Sequence, residues 1–229
     1  MRADDPNLPQ LRTVAEALGE LREQIVFVGG AIAGLLVSDP AADTVRATMD
    51  VDAVVAADRA RFQKIERQVA AKGFVRDVES GIICRWRHAR SNVPFDLMPA
   101  MDDVLGFTNR WYSLAIDTAQ RVDLGNGLEI HMLTASAFVA TKLEAFAGRG
   151  RGDILGSHDV EDILNVVDGR PEFAQELAKA PGEMRLAIKA GLAHLLQRPV
   201  FRNVPPGMLA DADRTEVVLT RLQDLSRAE

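Results

Sequence analysis

The stretch that decides the fold is Arg46-Ala47-Thr48-Met49-Asp50-Val51-Asp52-Ala53-Val54-Val55. Its alternation reads as a β-strand over Val45–Val55. Arg46, Thr48, Asp50 and Asp52 fall on one face, and Met49, Val51, Ala53 and Val55 on the other. The apolar residues place the strand in a core. The polar face puts the carboxylates of Asp50 and Asp52 roughly 7 Å apart, because residues i and i+2 share a face. Two like charges so close repel unless they stay solvated or a cation neutralises them. A solvated strand face is the plain alternative for such a pair taken alone.

Working outward, a third acid stands in Val93-Pro94-Phe95-Asp96-Leu97-Met98. A lone charge in an apolar strand needs a cation or hydrogen-bond donors. Carboxylate oxygens on a rigid strand suit Mg²⁺, and three of them can hold two ions, about 3.5–4 Å apart in two-metal sites. Upstream, Ile25–Val28 reads as a strand running into Gly29-Gly30 and then a buried helix, Ala31–Val37. Glycines at such a junction let a phosphate approach backbone N–H groups, although a Gly-Gly pair is most often a tight turn.

The rest of the chain falls around this centre. Leu11–Leu21 has helical spacing. Asp58 caps a helix reaching Lys72. Phe74–Val78, Ile82–His88 and Val93–Met98 are successive strands, and Leu114–Leu133 is strand-rich around Asn126-Gly127. From Thr134 the pattern is helical: a helix to Phe146, a Gly/Arg loop, a helix capped by Ser157, then helices near 172–180, 182–197 and 208–227. The expected architecture is α/β (α+β), a mixed sheet flanked by helices over residues 1–133 followed by a helical C-terminal domain, 134–229.

The 229 residues include 27 Lys+Arg and 33 Asp+Glu, a net charge of −6. With 47% hydrophobic residues the chain is neither disordered nor collagen-like. Acidity argues against a broad basic nucleic-acid surface, but residues 57–99 carry +4 between two segments of −5. In that island Arg76, Arg85, Arg87 and Arg90 are either a solvated edge or a patch for acceptor phosphates. The single cysteine, Cys84, sits in an apolar run and reads as a buried, inert thiol. It forbids an internal disulfide, and with no leader pattern the expected location is cytoplasmic, without a membrane span. His88, His131, His158 and His194 lack zinc-site spacing.

Phe27-Val28-Gly29-Gly30, the Arg46–Asp52 stretch and Phe95-Asp96-Leu97 together resemble the nucleotidyltransferase fold of the DNA polymerase beta superfamily. Thr141-Lys142-Leu143-Glu144-Ala145-Phe146, Arg149, Arg151 and Ser157-His158-Asp159-Val160-Glu161-Asp162-Ile163 resemble the C-terminal motifs of AbiEii-type enzymes. MenT-like relatives of these act as toxins of toxin–antitoxin systems. The resemblance covers about residues 25–168. The chain departs from the pattern at Ala31, where many members carry Ser or Thr, and in the 20 positions separating Gly30 from Asp50.

The resemblance implies a Mg²⁺-dependent transfer of an NMP from an NTP, such as ATP, to an acceptor hydroxyl, on a tRNA 3′ end or a protein, with an antitoxin as a further partner. Asp50, Asp52 and Asp96 would hold two Mg²⁺ ions. Gly29 and Gly30 would cradle the β/γ phosphates, with Arg46 and Thr48 beside the nucleotide. Lys142 would contact the triphosphate, Asp159 would orient Lys142 or the nucleotide, and Arg149 and Arg151 would grip phosphate or acceptor. A surface lysine and a solvated loop are the plain alternatives for Lys142 and for the two arginines. A transferase acting on an aminoglycoside-like small molecule, or a catalytically idle binding protein of the same fold, are the competing functions.

Overall fold

In the computed structural model the described residues are 4–106, 108–149, 153–209 and 211–227. Arg151 lies outside them, and for Arg149 only the backbone is described. The fold is mixed α/β, and the chain divides into two compact units. One comprises Asp5–Ile32 and Arg46–Thr134 and contains the sheet; the other, including Ala33–Val45 and Ala135–Glu229, is helical.

The sheet unit opens with α1 (Leu8–Leu18), which buries Leu8, Leu11, Val14 and Leu18 along one stripe. A 3₁₀ segment, Gly19–Gln24, leads to β1 (Val26–Val28), and a 3₁₀ turn, Gly30–Ile32, follows it. After β2 (Val51–Val55) comes α3 (Arg59–Ala71), whose N-cap Asp58 accepts from the Arg61 N–H as its sequence predicts. Phe62, Ile65 and Val69 form its buried face. Strands β3 (Phe74–Arg76), β4 (Arg85–His88) and β5 (Pro94–Pro99) follow, then short helices α4 (Asp102–Leu105) and α5 (Tyr112–Asp117). A final hairpin, β6 (Gln120–Asp123) and β7 (Glu129–Met132), turns through Asn126 and Gly127, both at positive φ.

The seven strands run in the order β3-β4-β5-β2-β1-β7-β6. The β2–β5 and β1–β7 pairs are parallel and the others antiparallel. Central position explains the composition of β2. Val51, Ala53, Val54 and Val55 are all buried, and Asp52 interrupts them.

The strand expected over Val45–Val55 is shorter than its alternation implies. Its partner β1 has three residues, which pair with Asp52–Val54. Residues 46–50 therefore lack a sheet neighbour on that side, and α1 supplies one. Asn7 Nδ2 donates to the Arg46 carbonyl (3.0 Å), and Asn7 Oδ1 accepts from the Thr48 N–H (2.8 Å). Arg46 and Thr48 thus lie on a segment outside the strand that side chains hold, not on a strand face.

In the helical unit α2 is only Ala33–Leu36. The expected helix Ala31–Val37 is thus a 3₁₀ turn plus one helical turn, which weakens any macrodipole argument for anion binding there. Helices α6 (Ala135–Arg149), α7 (His158–Gly169), α8 (Phe173–Lys179) and α9 (Gly182–Gln197) follow sequence expectation closely. Ser157 caps α7 through the Val160 N–H. The expected helix 208–227 is broken into α10 (Pro205–Met208), a 3₁₀ turn and α11 (Thr215–Arg227). Asp211 accepts from the Asp213 N–H and starts a new turn there.

The C-terminal end of α7 is the unit's polar knot. Ser38 and Asp39 N–H both donate to the Gly169 carbonyl, at 2.8 and 2.9 Å. A Cβ at Gly169 would fall 2.7 Å from Val37 Cγ1, so only glycine allows this approach. Arg214 Nε donates to Asp168 Oδ1 (2.7 Å) and Nη2 to Asp39 Oδ2 (3.2 Å); Arg221 Nη1 donates to the Val167 carbonyl (3.1 Å). Cations here satisfy carbonyls that the helix end leaves open. Among the described residues no helix is long and apolar enough to cross a membrane.

Candidate active site

The sheet brings the acids together by register. Asp52 on β2 pairs directly with Asp96 on β5, and Asp96 pairs directly with Arg85 on β4. Direct partners point to the same face, so the three side chains form a row across neighbouring strands. Asp50, two residues before Asp52, joins that face and reaches Arg85.

Arg85 holds the row together. Its Nε donates to Asp96 Oδ1 at 2.8 Å and its Nη2 to Asp96 Oδ2 at 2.7 Å, a bidentate fork. The same Nη2 also donates to Asp50 Oδ2. Asp96 is 6% exposed, and this guanidinium answers its burial cost. The Asp96 hydrogen bonds above all, and the charge of Asp50, hold Arg85 protonated well above its ordinary range. The row retains a negative field nonetheless. The Cys84 thiol is pushed up to about 12, first by burial and then by Asp96 and Asp52, with Arg85 opposing them only weakly.

Gly29 completes the site from β1. It has φ +72°, and a Cβ there would fall 2.0 Å from Asp52 Oδ2, so the Asp52 carboxylate rests on the backbone of the Gly-Gly turn. The segment entering Asp50 is fixed from behind. Gln10 Nε2 donates to Thr48 Oγ1 (2.9 Å), and Thr48 Oγ1 donates to the Asp50 carbonyl (3.0 Å). Asn7, the N-cap of α1, is fully buried and makes no side-chain cap to its own helix. Its amide serves residues 46–48 instead.

Lys142 and Asp159 lie in the helical unit and form their own cluster with Asp162. Lys142 Nζ is 2.6 Å from Asp162 Oδ2 and 3.2 Å from Asp159 Oδ1, and 5.5 Å from the centre of the Phe138 ring. Lys142 is buried at 8% exposure, which removes the surface-lysine reading, and Asp162 is completely buried. Of the two carboxylates, Asp162 lies nearer to Lys142.

Among the described residues no three His, Cys, Asp or Glu side chains are grouped so as to hold a metal ion. The donor set of Asp50, Asp52 and Asp96 has the right chemistry for Mg²⁺. The arrangement does not fit one, because Arg85 occupies both oxygens of Asp96 and one of Asp50. A cleft of about 630 Å³, lined by Gln24, Asp58, Arg61, Lys64 and Gln68 among others, shares no lining residue with the row.

Sequence reasoning missed Arg85 as a member of this site, and Asn7 and Gln10 as its support. No family model matches the chain, and no curated protein matches it.

Proposed function

We propose that the chain is a nucleotidyltransferase that moves an NMP from an NTP to an acceptor hydroxyl, with the sheet face of Asp50, Asp52 and Asp96 as its centre. The observation that carries the reading is the direct pairing of Asp52 with Asp96, with Asp52 seated on Gly29. Three carboxylates on one rigid face, beside a turn whose backbone a phosphate can approach, form an arrangement suited to phosphoryl chemistry and of no evident use to a packed core.

In this reading the acceptor oxygen attacks the α-phosphorus in line. The new P–O bond forms as the bond to the β-phosphate oxygen breaks, and pyrophosphate leaves. Asp96 takes the proton of the attacking hydroxyl. In this structure Arg85 supplies the countercharge to Asp50 and Asp96; Mg²⁺, the cation the resemblance calls for, would need those oxygens free of it. The motif resemblance alone assigns Lys142 to the triphosphate and a tRNA end or a protein as the acceptor. The toxin role and an antitoxin partner rest on the motif resemblance alone.

The test is incubation of the protein with each α-labelled NTP and Mg²⁺, in turn with total RNA, total protein and small acceptors including an aminoglycoside. Label in one fraction names the acceptor class, and Asp52→Ala abolishes it without unfolding the protein. Undiminished transfer by an Asp50→Ala, Asp52→Ala double variant defeats the assignment. The occupation of Asp50 and Asp96 by Arg85 favours one competing reading, an idle nucleotide-binding protein of the same architecture. That reading gains if NTP raises the melting temperature while no fraction acquires label.

A further inference from the structure

Arg85 and a divalent cation make the same demand on this site. The guanidinium fork engages Oδ1 and Oδ2 of Asp96, and one of its nitrogens also engages Oδ2 of Asp50. A cation bound by Asp50 and Asp96 needs lone pairs on those same oxygens. It would also stand within contact distance of the guanidinium, where two positive charges repel strongly in a partly buried setting. Asp50, Asp52 and Asp96 carry three negative charges against the single positive charge of Arg85.

We propose that Arg85 is a displaceable counter-ion: the guanidinium and a divalent cation compete for Asp50 and Asp96, and the cation enters only as Arg85 withdraws. The proposal rests on the reading of this row as the centre of a transferase. The geometry permits the exchange. Arg85 is attached to β4, one strand beyond Asp96, by a flexible stem with several staggered conformers, and its side chain is 14% exposed, so it has a way out to solvent. The acids stay where the strand register and Gly29 hold them. Arg85 thus closes the site when no cation is bound and keeps the clustered carboxylates from repelling one another.

The experiment measures Mn²⁺ affinity of the full chain by paramagnetic resonance and calorimetry, for the wild type, Arg85→Gln and Arg85→Lys. Competition predicts that R85Q binds Mn²⁺ about tenfold tighter or more. R85K, which keeps the charge and loses the fork, falls between. R85Q also melts lower than wild type without cation and recovers on adding Mn²⁺. In the wild type, the Arg85 Nε–H resonance shifts in step with Mg²⁺ binding as its bond to Asp96 is lost. If R85Q does not fold, R85K and the wild-type resonance carry the test. Equal Mn²⁺ affinities, no binding by any of the proteins, or an Nε–H signal unmoved at saturating Mg²⁺ overturns the proposal. Wild-type NMP transfer alongside equal affinities discards the competition and keeps the transferase. Tighter binding by R85Q with no transfer does the reverse.

Discussion

The carboxylate of Asp52 lies on the backbone of Gly29, with Oδ2 2.0 Å from where a Cβ would sit. Gly29→Ala therefore meets two obstacles at once. Alanine is strained at φ +72°, and its methyl group displaces Asp52 from its place beside Asp96. The expected loss is about 2–4 kcal/mol in urea unfolding. On the proposed reading, NMP transfer falls further than stability does, since the surviving folded protein carries a misplaced acid. A variant with wild-type stability and transfer shows that Asp52 is not fixed by this contact.

Asn7→Ala leaves the Thr48 N–H and the Arg46 carbonyl without the amide that serves them. Both belong to a segment with no sheet partner on that side. The expected cost is about 1–3 kcal/mol by chemical denaturation, the range for a buried polar group stripped of its partner. Gln10→Ala should cost less, because Thr48 keeps its bond to Asn7. A loss under about 0.5 kcal/mol for N7A means that water replaces the amide readily.

Lys142→Met removes the charge that faces the completely buried Asp162. Breaking a buried pair from one side costs about 3–5 kcal/mol. Adding Asp162→Asn to K142M should return much of that loss, since the neutral amide no longer demands a counter-ion. A double variant no more stable than K142M shows that the cost is packing of the lysine stem, not charge.

Acid should loosen the helical unit through Asp39 and Glu172. The Ala41 backbone N–H first, then Arg214, hold the Asp39 carboxyl below its usual range. A hydrogen bond from Ser38 does the same for Glu172. Both groups bind protons more weakly folded than unfolded. Their contribution is complete above the ordinary carboxylate pKa of about 4 and is lost as pH falls through the lower folded values. Urea midpoints measured from pH 6 down to 3 should decline over that acid window. An Asp39→Asn, Glu172→Gln variant should start lower at pH 6 and decline less. Parallel curves for the two proteins count against the assignment.

What the sequence disclosed followed from range. Caps and tight turns involve a few neighbouring residues, so Asp58, Ser157 and the Asn126-Gly127 turn were legible. The limits of β2 were not, because a strand ends where its partner ends, and β1 stops after three residues. Asp50, Asp52 and Asp96 stood out as acids in apolar surroundings. The place of Arg85 depends on the register of β4 against β5, set by the turn between them, where Asn92 takes a positive φ. Alternation put Arg85 on a face but could not name the residue opposite. Asn7 and Gln10 were hidden in a polar N-terminal run, and their partners lie about 40 positions away.

The bonds from Ser38 and Asp39 to the Gly169 carbonyl span about 130 positions of chain. On the ribosome, Ala33–Val45 is made early, while the helix end it docks against is made late. At about 5–20 residues per second the segment waits roughly 6–26 s for its partner. Through that interval Val37 and Ala42, buried in the finished protein, are open to water and to chaperones. Slower translation after residue 45 lengthens that exposure, so the yield of this protein should depend on how fast its second half is made.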